Sequence, residues 1–189
     1  NKIKLEGSMK PFVEIKEDVT DISNEIMGYV SADDSISLYK GSPWKFLNTR
    51  NLMSSCPALL DFFKKHKLVV KDSAITYITN TNDLPMHVDE KPVVAKLNFP
   101  VLNTRGWTNK WFTVDNLENY PKVKNQFDSE VYDLSTATGV LLAEYRDMTH
   151  PIVFNSSIAH SVEQYSDNAK IPRIVASFTF HKEPIEWLE

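Results

Sequence analysis

The stretch Arg173-Ile174-Val175-Ala176-Ser177-Phe178-Thr179-Phe180 decides how we interpret the fold of this chain. Side chains of a β-strand point alternately to its two faces, so residues two apart share a face. One face therefore carries Ile174, Ala176, Phe178 and Phe180, and the other carries Arg173, Val175, Ser177 and Thr179. The first face predicts contact with a hydrophobic core. The second directs a guanidinium group and two hydroxyl groups towards a polar cavity.

Segments with the composition of β-strands continue upstream to Leu68. Short segments rich in β-branched and aromatic residues, which strands favour, recur at 68–70, 74–79, 93–99, 111–114, 140–145 and 152–154. Clusters of turn-forming residues separate the segments, as at 80–83 and 166–168. The sequence offers no helices between them of the kind that connect parallel strands. It therefore predicts a mainly β domain, built as a barrel or jelly roll.

The first third of the chain carries two amphipathic segments. Asp21 is a suitable N-cap for a helix that ends near Tyr29. A second helix is predicted from Pro57 to about His66, because proline suits a first helical turn and the segment has an apolar stripe. We expect both helices to pack outside the β-structure.

The composition is that of an ordinary globular protein. Of the 189 residues, 42% are hydrophobic and 24% are charged, which excludes wholesale disorder. The longest apolar runs fall well short of the ~20 residues that a membrane-spanning helix needs. The formal charge of -4 disfavours nucleic acid or an anionic membrane as a partner. The oligomeric state is left open.

Cys56 is the only cysteine, which excludes an intrachain disulfide and a zinc site built from cysteines. With no secretory pattern at the amino end, the lone thiol leads us to expect a cytoplasmic protein. Gly7-Ser8-Met9 looks like a cloning scar, so we treat residues 1–10 as a tag or disordered terminus. We expect a single domain over residues 11–189, with its core at about 68–181.

Five histidines occur in the chain, and two of them stand beside predicted strands. His87 and Asp89 lie two residues apart, so an extended backbone places both side chains on one face, where they can bind one metal ion. His160 is the candidate for a second imidazole ligand, with His150 as its competitor. Arg173 opens the last strand, and a buried guanidinium needs an anionic partner. A carboxylate would satisfy it through two parallel hydrogen bonds.

This ordered set of residues resembles the iron(II)- and 2-oxoglutarate-dependent oxygenases. The segment 96–104 is similar to the strand after the first metal motif in aspartyl/asparaginyl-hydroxylase-like members and their compact bacterial and phage relatives. Residues 154–173 resemble the second half of the same pattern. The resemblance covers about Tyr77 to Phe180. Given the phage relatives, the expected cytoplasm includes that of an infected host.

The resemblance implies a double-stranded β-helix fold with Fe(II), O2 and the co-substrate 2-oxoglutarate. It implies a hydroxylase that acts on a small molecule or a peptidyl side chain and decarboxylates 2-oxoglutarate to succinate. His87, Asp89 and His160 would be the metal ligands. Arg173 would bind the distal carboxylate of 2-oxoglutarate.

Further contacts to 2-oxoglutarate are predicted for Asn98, Tyr77 and Ser177. Lys96 is the alternative to Arg173 as the cation that binds the carboxylate. Tyr77 has a second interpretation, as a core tyrosine. Substrate specificity is expected in a loop at 104–110 and in the long polar stretch 116–138, since long loops in compact domains are often binding segments.

Two other classes of function stay open. A non-catalytic, cupin-like β-barrel could bind an anionic ligand through Arg173 and Lys96. A zinc hydrolase could use the same ligand set, but it would need a general base near the metal, and the sequence singles out none.

Overall fold

Strands dominate the structure. The computed structural model describes residues 9–32, 44–79, 84–89, 93–124 and 130–189. The strands are β1 (Phe12–Glu14), β2 (Trp44–Phe46), β3 (Val70–Ile78), β4 (Leu84–His87), β5 (Ala95–Leu102), β6 (Trp107–Thr113), β7 (Lys122–Lys124), β8 (Glu130–Tyr132), β9 (Val140–Arg146), β10 (Ile152–Asn155), β11 (Ala159–Gln164) and β12 (Arg173–Phe180). The α-helices are α1 (Thr20–Ala32), α2 (Thr49–Ser55) and α3 (Pro57–Lys65), and short 3-10 helices cover Leu117–Asn119 and Ile185–Trp187.

Two antiparallel sheets face each other. The larger has six strands in the order β1-β10-β5-β12-β3-β2, and the smaller has four in the order β4-β11-β6-β9. Strands β7 and β8 form a separate hairpin. Successive strands from β3 to β6, and again from β9 to β12, fall alternately in the two sheets. The expected jelly roll, with its double-stranded β-helix arrangement, is confirmed.

Strand β12 lies in the middle of the larger sheet, between β5 and β3. Its residues Ile174, Ala176 and Phe178 are at most 1% exposed and belong to the same cluster as the helices. Val175 belongs instead to a cluster between the two sheets, with Trp111 of the smaller sheet. The alternation predicted for this strand is confirmed.

The three helices pack on the outer face of the larger sheet. Phe62 and Phe63 of α3 meet Phe99 of β5 edge to face, with ring centroids 4.9 Å and 6.0 Å apart. Phe63 also meets Phe178 of β12 at 5.0 Å. The predicted helix from Pro57 is confirmed and ends at Lys65, within one residue of the expected position. Helix α2 was not predicted, because its short sequence has a single buried residue.

The predicted cap of α1 was wrong. The helix begins at Thr20, before the expected N-cap Asp21. The carboxylate of Asp18 accepts hydrogen bonds from the Thr20 backbone N–H at 3.0 Å and from the Thr20 hydroxyl at 2.7 Å. Asp21 lies in the first turn, where its negative charge favours the positive end of the helix dipole. Asp18, and not Asp21, therefore provides the carboxylate that accepts hydrogen bonds at the start of α1.

The amino end of α3 is capped by a side chain from α1. The Glu25 carboxylate accepts hydrogen bonds from the backbone N–H of Ala58 at 2.9 Å and of Leu59 at 3.4 Å. We expect Glu25→Gln to lower the free energy of unfolding by about 1 kcal/mol, since loss of a capping group costs roughly 0.5–2 kcal/mol. Urea denaturation measures the change. Glu118→Gln, at an exposed site, is the control, and an equal loss in both variants would contradict the capping role.

The structure corrects two strand boundaries. Strand β3 is continuous, where two short strands were predicted. Residues 107–110, expected in a specificity loop, form the first half of β6, and Trp107 is fully buried. Thr108 and Asn109 are polar, and for that reason the sequence suggested a loop. In the structure the Thr108 hydroxyl donates a hydrogen bond to the Glu144 carboxylate at 3.0 Å, so it needs no water as a partner.

Several predicted features lie outside the described residues. They are residues 1–8 of the expected terminal tag, the turn at 80–83 and residues 125–129 of the polar stretch. Met9 packs against the helical core, and the Lys10 backbone N–H donates to the Leu188 carbonyl at 2.6 Å, so these two residues belong to the fold. Within the described ranges, none of the helices combines the length and apolarity needed to cross a membrane.

Candidate metal centre

The three residues predicted as metal ligands come together between the sheets. His87 ends β4 and is the direct register partner of His160 on β11. Asp89 follows two residues after His87. The ligand atoms of the three side chains lie within 4.8 Å of one another. Nε2 of His87 is 3.8 Å from Oδ1 of Asp89, and Nε2 of His160 is 3.8 Å from Oδ2.

Both imidazoles are oriented in the same way by the backbone. Nδ1 of His87 lies 2.8 Å from the carbonyl of Pro85, and Nδ1 of His160 lies 2.8 Å from the carbonyl of Ile158. A carbonyl can only accept a hydrogen bond, so each neutral ring carries its proton on Nδ1. Each Nε2 then presents a lone pair to the carboxylate side of the cluster, which is the arrangement that a metal ion requires.

The protonation states also suit a metal. Burial and the neighbouring His87 lower the pKa of His160 to about 4, so this ring is neutral at neutral pH. Burial by itself would raise the pKa of Asp89, but the charges of His160, Lys96 and His87 lower it to about 2. The site therefore offers a neutral His160 imidazole and an ionised Asp89 carboxylate beside the imidazole of His87. Two histidines and a carboxylate on one side of an ion are the ligand set of non-haem Fe(II) oxygenases, so the residues fit that metal.

Lys96 contacts the cluster directly. Its Nζ lies 2.9 Å from Oδ2 of Asp89, and the two side chains are 21% and 20% exposed. Lys96 is a cavity-facing residue of β5, and it precedes Asn98 on the same face. The sequence suggested Lys96 as a cation for a distant carboxylate, and the structure places it instead beside the proposed metal ligand.

A cavity of about 300 Å³ adjoins the three candidate ligands. Side chains from both sheets line it, including Asn98 and Ser177 of the larger sheet and Asn109 and Trp111 of the smaller. The Ser177 hydroxyl donates a hydrogen bond to the Asn98 side-chain oxygen. Both residues were predicted to contact 2-oxoglutarate, and their place on the cavity wall is consistent with that prediction.

Arg173 is buried, and no acidic side chain in the described part of the chain pairs with it. It is 2% exposed, and among the described residues its side-chain hydrogen bond goes to the Asn109 oxygen at 3.5 Å. Its Nε has no hydrogen-bond partner there, and the guanidinium lies 5.8 Å from the centre of the Trp107 ring. Burial lowers the pKa of Arg173 to about 10, which still leaves it charged. A buried cation in this state favours an anion as its partner, and the described residues supply none.

The register of the smaller sheet places the contact of Arg173 near the three candidate metal ligands. Strand β11 pairs His160 with Trp111 and Val162 with Asn109. Asn109 is therefore two residues along β6 from Trp111, the partner of His160, which corresponds to about 6.8 Å along the strand. Because Asn109 contacts Arg173 and also lines the cavity, the guanidinium and the candidate metal ligands belong to one region.

Tyr77 does not belong to this region. It is paired with Ile174 of β12 and packs against the cluster that contains the helices, on the opposite face of the larger sheet. The predicted contact of Tyr77 with 2-oxoglutarate is corrected by this placement, and its alternative interpretation as a core tyrosine agrees with the structure. Residues 73–78 of β3 are covered on both faces, so this part of the sequence lacks the polar–apolar alternation that would have shown which side faces the cavity.

His150, the competitor for the distal ligand, lies elsewhere. Its Nδ1 is 3.0 Å from the Glu14 carboxylate, which also accepts a hydrogen bond from the Tyr145 hydroxyl at 2.7 Å. Desolvation and the Glu14 hydrogen bond raise the pKa of Tyr145 to about 12. His150 is therefore part of a separate polar cluster at β1.

The sequence interpretation missed the role of Asn109. The pattern Trp107-x-Asn109-x-Trp111 has the period of a strand with one buried face. Extension of the predicted strand back from Trp111 would have found it. Trp107 and Trp111 are 0% and 2% exposed and lie inside the structure.

The polar stretch 116–138 partly covers the metal motif from outside. Val88, between His87 and Asp89, packs in a cluster with Leu134 and Ala159, and Leu117 and Tyr132 border that cluster. The described part of this stretch therefore supports the backbone of the ligand-bearing segment.

The arrangement of sheets is similar to that of two solved non-haem enzymes. SnoK, described as a non-heme alpha-ketoglutarate-dependent carbocyclase from nogalamycin biosynthesis, matches with a TM-score of 0.52 and 10% identity, over 90% of this chain and 79% of that one. ThoJ, a non-heme monooxygenase in its apo form, matches with a TM-score of 0.51 and 15% identity, over 90% of this chain and 73% of that one. At these identities the likeness establishes the fold. No protein-family model and no curated protein matched the chain.

Proposed function

We propose that this chain is an Fe(II)- and 2-oxoglutarate-dependent dioxygenase that hydroxylates a small molecule or a peptidyl side chain. One observation carries the proposal. A cluster of two imidazoles and a carboxylate lies near Asn109, and Asn109 contacts a buried guanidinium that has no acidic partner among the described residues. A metal ion and a dicarboxylate would together satisfy both features.

Bound ferrous iron would supply the activation of O2, coupled to oxidative decarboxylation of 2-oxoglutarate. In the overall reaction, a substrate C–H group, O2 and 2-oxoglutarate yield the alcohol, succinate and CO2. One oxygen atom enters the substrate and the other enters succinate. His87, Asp89 and His160 would hold the metal from one side and leave the remaining positions to the co-substrate and oxygen.

The protein's own part would be to orient the co-substrate. Arg173 would bind the distal carboxylate through parallel hydrogen bonds, for which its Nε is available. Asn98 and Ser177 would contact the co-substrate from the larger sheet. The cavity walls contributed by Trp111 and Phe154 would exclude water from the reacting groups.

The test uses the protein with its co-substrates and no assigned substrate. Under anaerobic conditions, wild-type protein should bind Fe(II) and 2-oxoglutarate together, and admission of air should release succinate and CO2 in equal amounts. Protein stripped of metal with a chelator is the control and should release no succinate. Failure of the wild-type protein to bind a divalent metal would refute the proposal.

A second candidate function is supported by two cations, Lys96 on the cavity wall and Arg173 buried behind Asn109. A non-catalytic, cupin-like β-barrel could bind an anionic ligand through them. That function predicts equal binding of a dicarboxylate before and after metal removal, whereas the dioxygenase predicts binding that depends on the metal. Isothermal titration calorimetry with 2-oxoglutarate on the two preparations distinguishes the functions.

A further inference from the structure

The ion pair between Lys96 and Asp89 carries an inference about how the proposed metal centre works. The ammonium group lies 2.9 Å from Oδ2 of Asp89, within the range of a charge-assisted hydrogen bond. Lys96 has no other ion pair among the described residues. Its position on β5 opposite Phe154 fixes the side chain on the cavity face of the larger sheet.

The two oxygens of Asp89 are in different surroundings. Oδ1 is the oxygen nearest to His87, at 3.8 Å from its Nε2. Oδ2 lies 3.8 Å from Nε2 of His160 and is also the oxygen that accepts the hydrogen bond from Lys96. An oxygen that accepts from an ammonium group is a poorer metal ligand, because the ammonium charge repels the cation. Lys96 therefore favours coordination through one oxygen.

The number of ligand atoms matters for the proposed reaction. An octahedral ion has six positions, and two imidazoles and one oxygen occupy half of them. A carboxylate bound through both oxygens would take a fourth position. The keto acid would then fill the two that remain, and none would be left open.

The positive charge of Lys96 also favours binding of the keto acid to the metal. With neutral imidazoles, the lysine and the aspartate cancel each other, so a divalent metal keeps its full charge. An anionic keto acid is then attracted to this charge, and the attraction is strengthened by the low polarity of a mostly buried site.

We infer that Lys96 is a positioning residue of the metal centre, which keeps Asp89 bound to the metal through one oxygen and strengthens the attraction of the centre for an anionic keto acid. The inference rests on the proposed function. Lys96 acts through Asp89 rather than on the substrate.

The test compares two affinities that need no turnover. Mn(II) replaces Fe(II), and calorimetry measures first the affinity for Mn(II) and then the affinity of the Mn(II)-loaded protein for 2-oxoglutarate. In Lys96→Met we expect Mn(II) to bind several-fold more tightly and 2-oxoglutarate about tenfold more weakly, since one unit charge near the ion is removed. Lys96→Arg keeps the charge and should restore both affinities. Opposite changes in the two affinities are not what a loss of structure produces.

A matched control is available on the outer face of the smaller sheet. Lys110 forms a similar ion pair with Glu163, with side chains 27% and 31% exposed. Lys110→Met should leave both affinities unchanged. Thermal unfolding of each metal-free variant checks that it is folded, and Lys96→Gln replaces Lys96→Met if the latter is unfolded.

The outcomes separate the inference from the proposed function. If wild-type protein binds Mn(II) and 2-oxoglutarate but Lys96→Met has unchanged affinities, or loses both together, the inference is overturned and the proposed function stands. If wild-type protein binds no metal, both are overturned.

Discussion

Replacement of Asp89 by alanine should abolish turnover and almost eliminate metal binding. Asp89 is the single carboxylate in the cluster of candidate ligands, and it supplies the one negatively charged ligand atom of that cluster. Loss of a partner that only orients a ligand costs roughly 10–100-fold in metal affinity, and loss of the ligand itself should cost more. Mn(II) titration measures binding, and release of succinate under air measures turnover.

Two variants control for the removal of Asp89. Asp89→Asn keeps the size of the side chain but not its charge, so it should resemble the alanine variant if charge is what the metal requires. Asp61→Asn removes a carboxylate from the exposed surface of α3, where its partner Lys64 is also exposed, and should change neither quantity. Wild-type turnover in Asp89→Ala would remove Asp89 from the proposed metal site.

Replacement of Arg173 by methionine should have opposite effects on binding and on stability. Truncation of one partner of a buried charge pair costs about 2–5 kcal/mol of binding, so the affinity for 2-oxoglutarate should fall at least about 30-fold. The metal-free protein should lose no stability and should gain some, because an unpaired buried guanidinium is replaced by an apolar side chain of similar length. Mn(II) affinity should stay at the wild-type value.

Thermal unfolding separates these effects in a single experiment. A ligand that binds the native state stabilises it in proportion to the logarithm of its concentration over Kd. Excess 2-oxoglutarate should therefore raise the Tm of Mn(II)-loaded wild-type protein and leave that of Arg173→Met nearly unchanged. Arg173→Lys tests whether the forked geometry is needed in addition to the charge. Full stabilisation of Arg173→Met by 2-oxoglutarate would point to Lys96 as the cation that binds the carboxylate.

Much of the fold followed from short-range patterns. The alternation in β12 indicated both its conformation and its two faces, because a half-buried strand shows its environment directly in its sequence. The helix from Pro57 was predicted within one residue for a similar reason, since its first turn and its apolar stripe are local features. The His87-x-Asp89 motif belongs to the same category, and its side chains do share one site.

Other features depended on contacts that the local sequence leaves undefined. The strand residues 107–110 looked like a loop because their polar side chains find partners on β9 and β12. The capping of α3 by Glu25 joins residues that are 33 positions apart. No local pattern predicts such partners, because each partner is brought there by the packing of a different element.

The amino-acid sequence by itself determined a mainly β chain with outer helices, and it identified two imidazoles, a carboxylate and a guanidinium as a coherent chemical set. Only the tertiary structure decided that Lys96 pairs with Asp89, that Asn109 lies between the arginine and the cavity, and that Tyr77 faces the helices. The physical reason is strand register. A strand's own sequence sets the period of its side chains, but its neighbours decide which residues stand opposite one another and, where both faces are buried, which face lines the cavity.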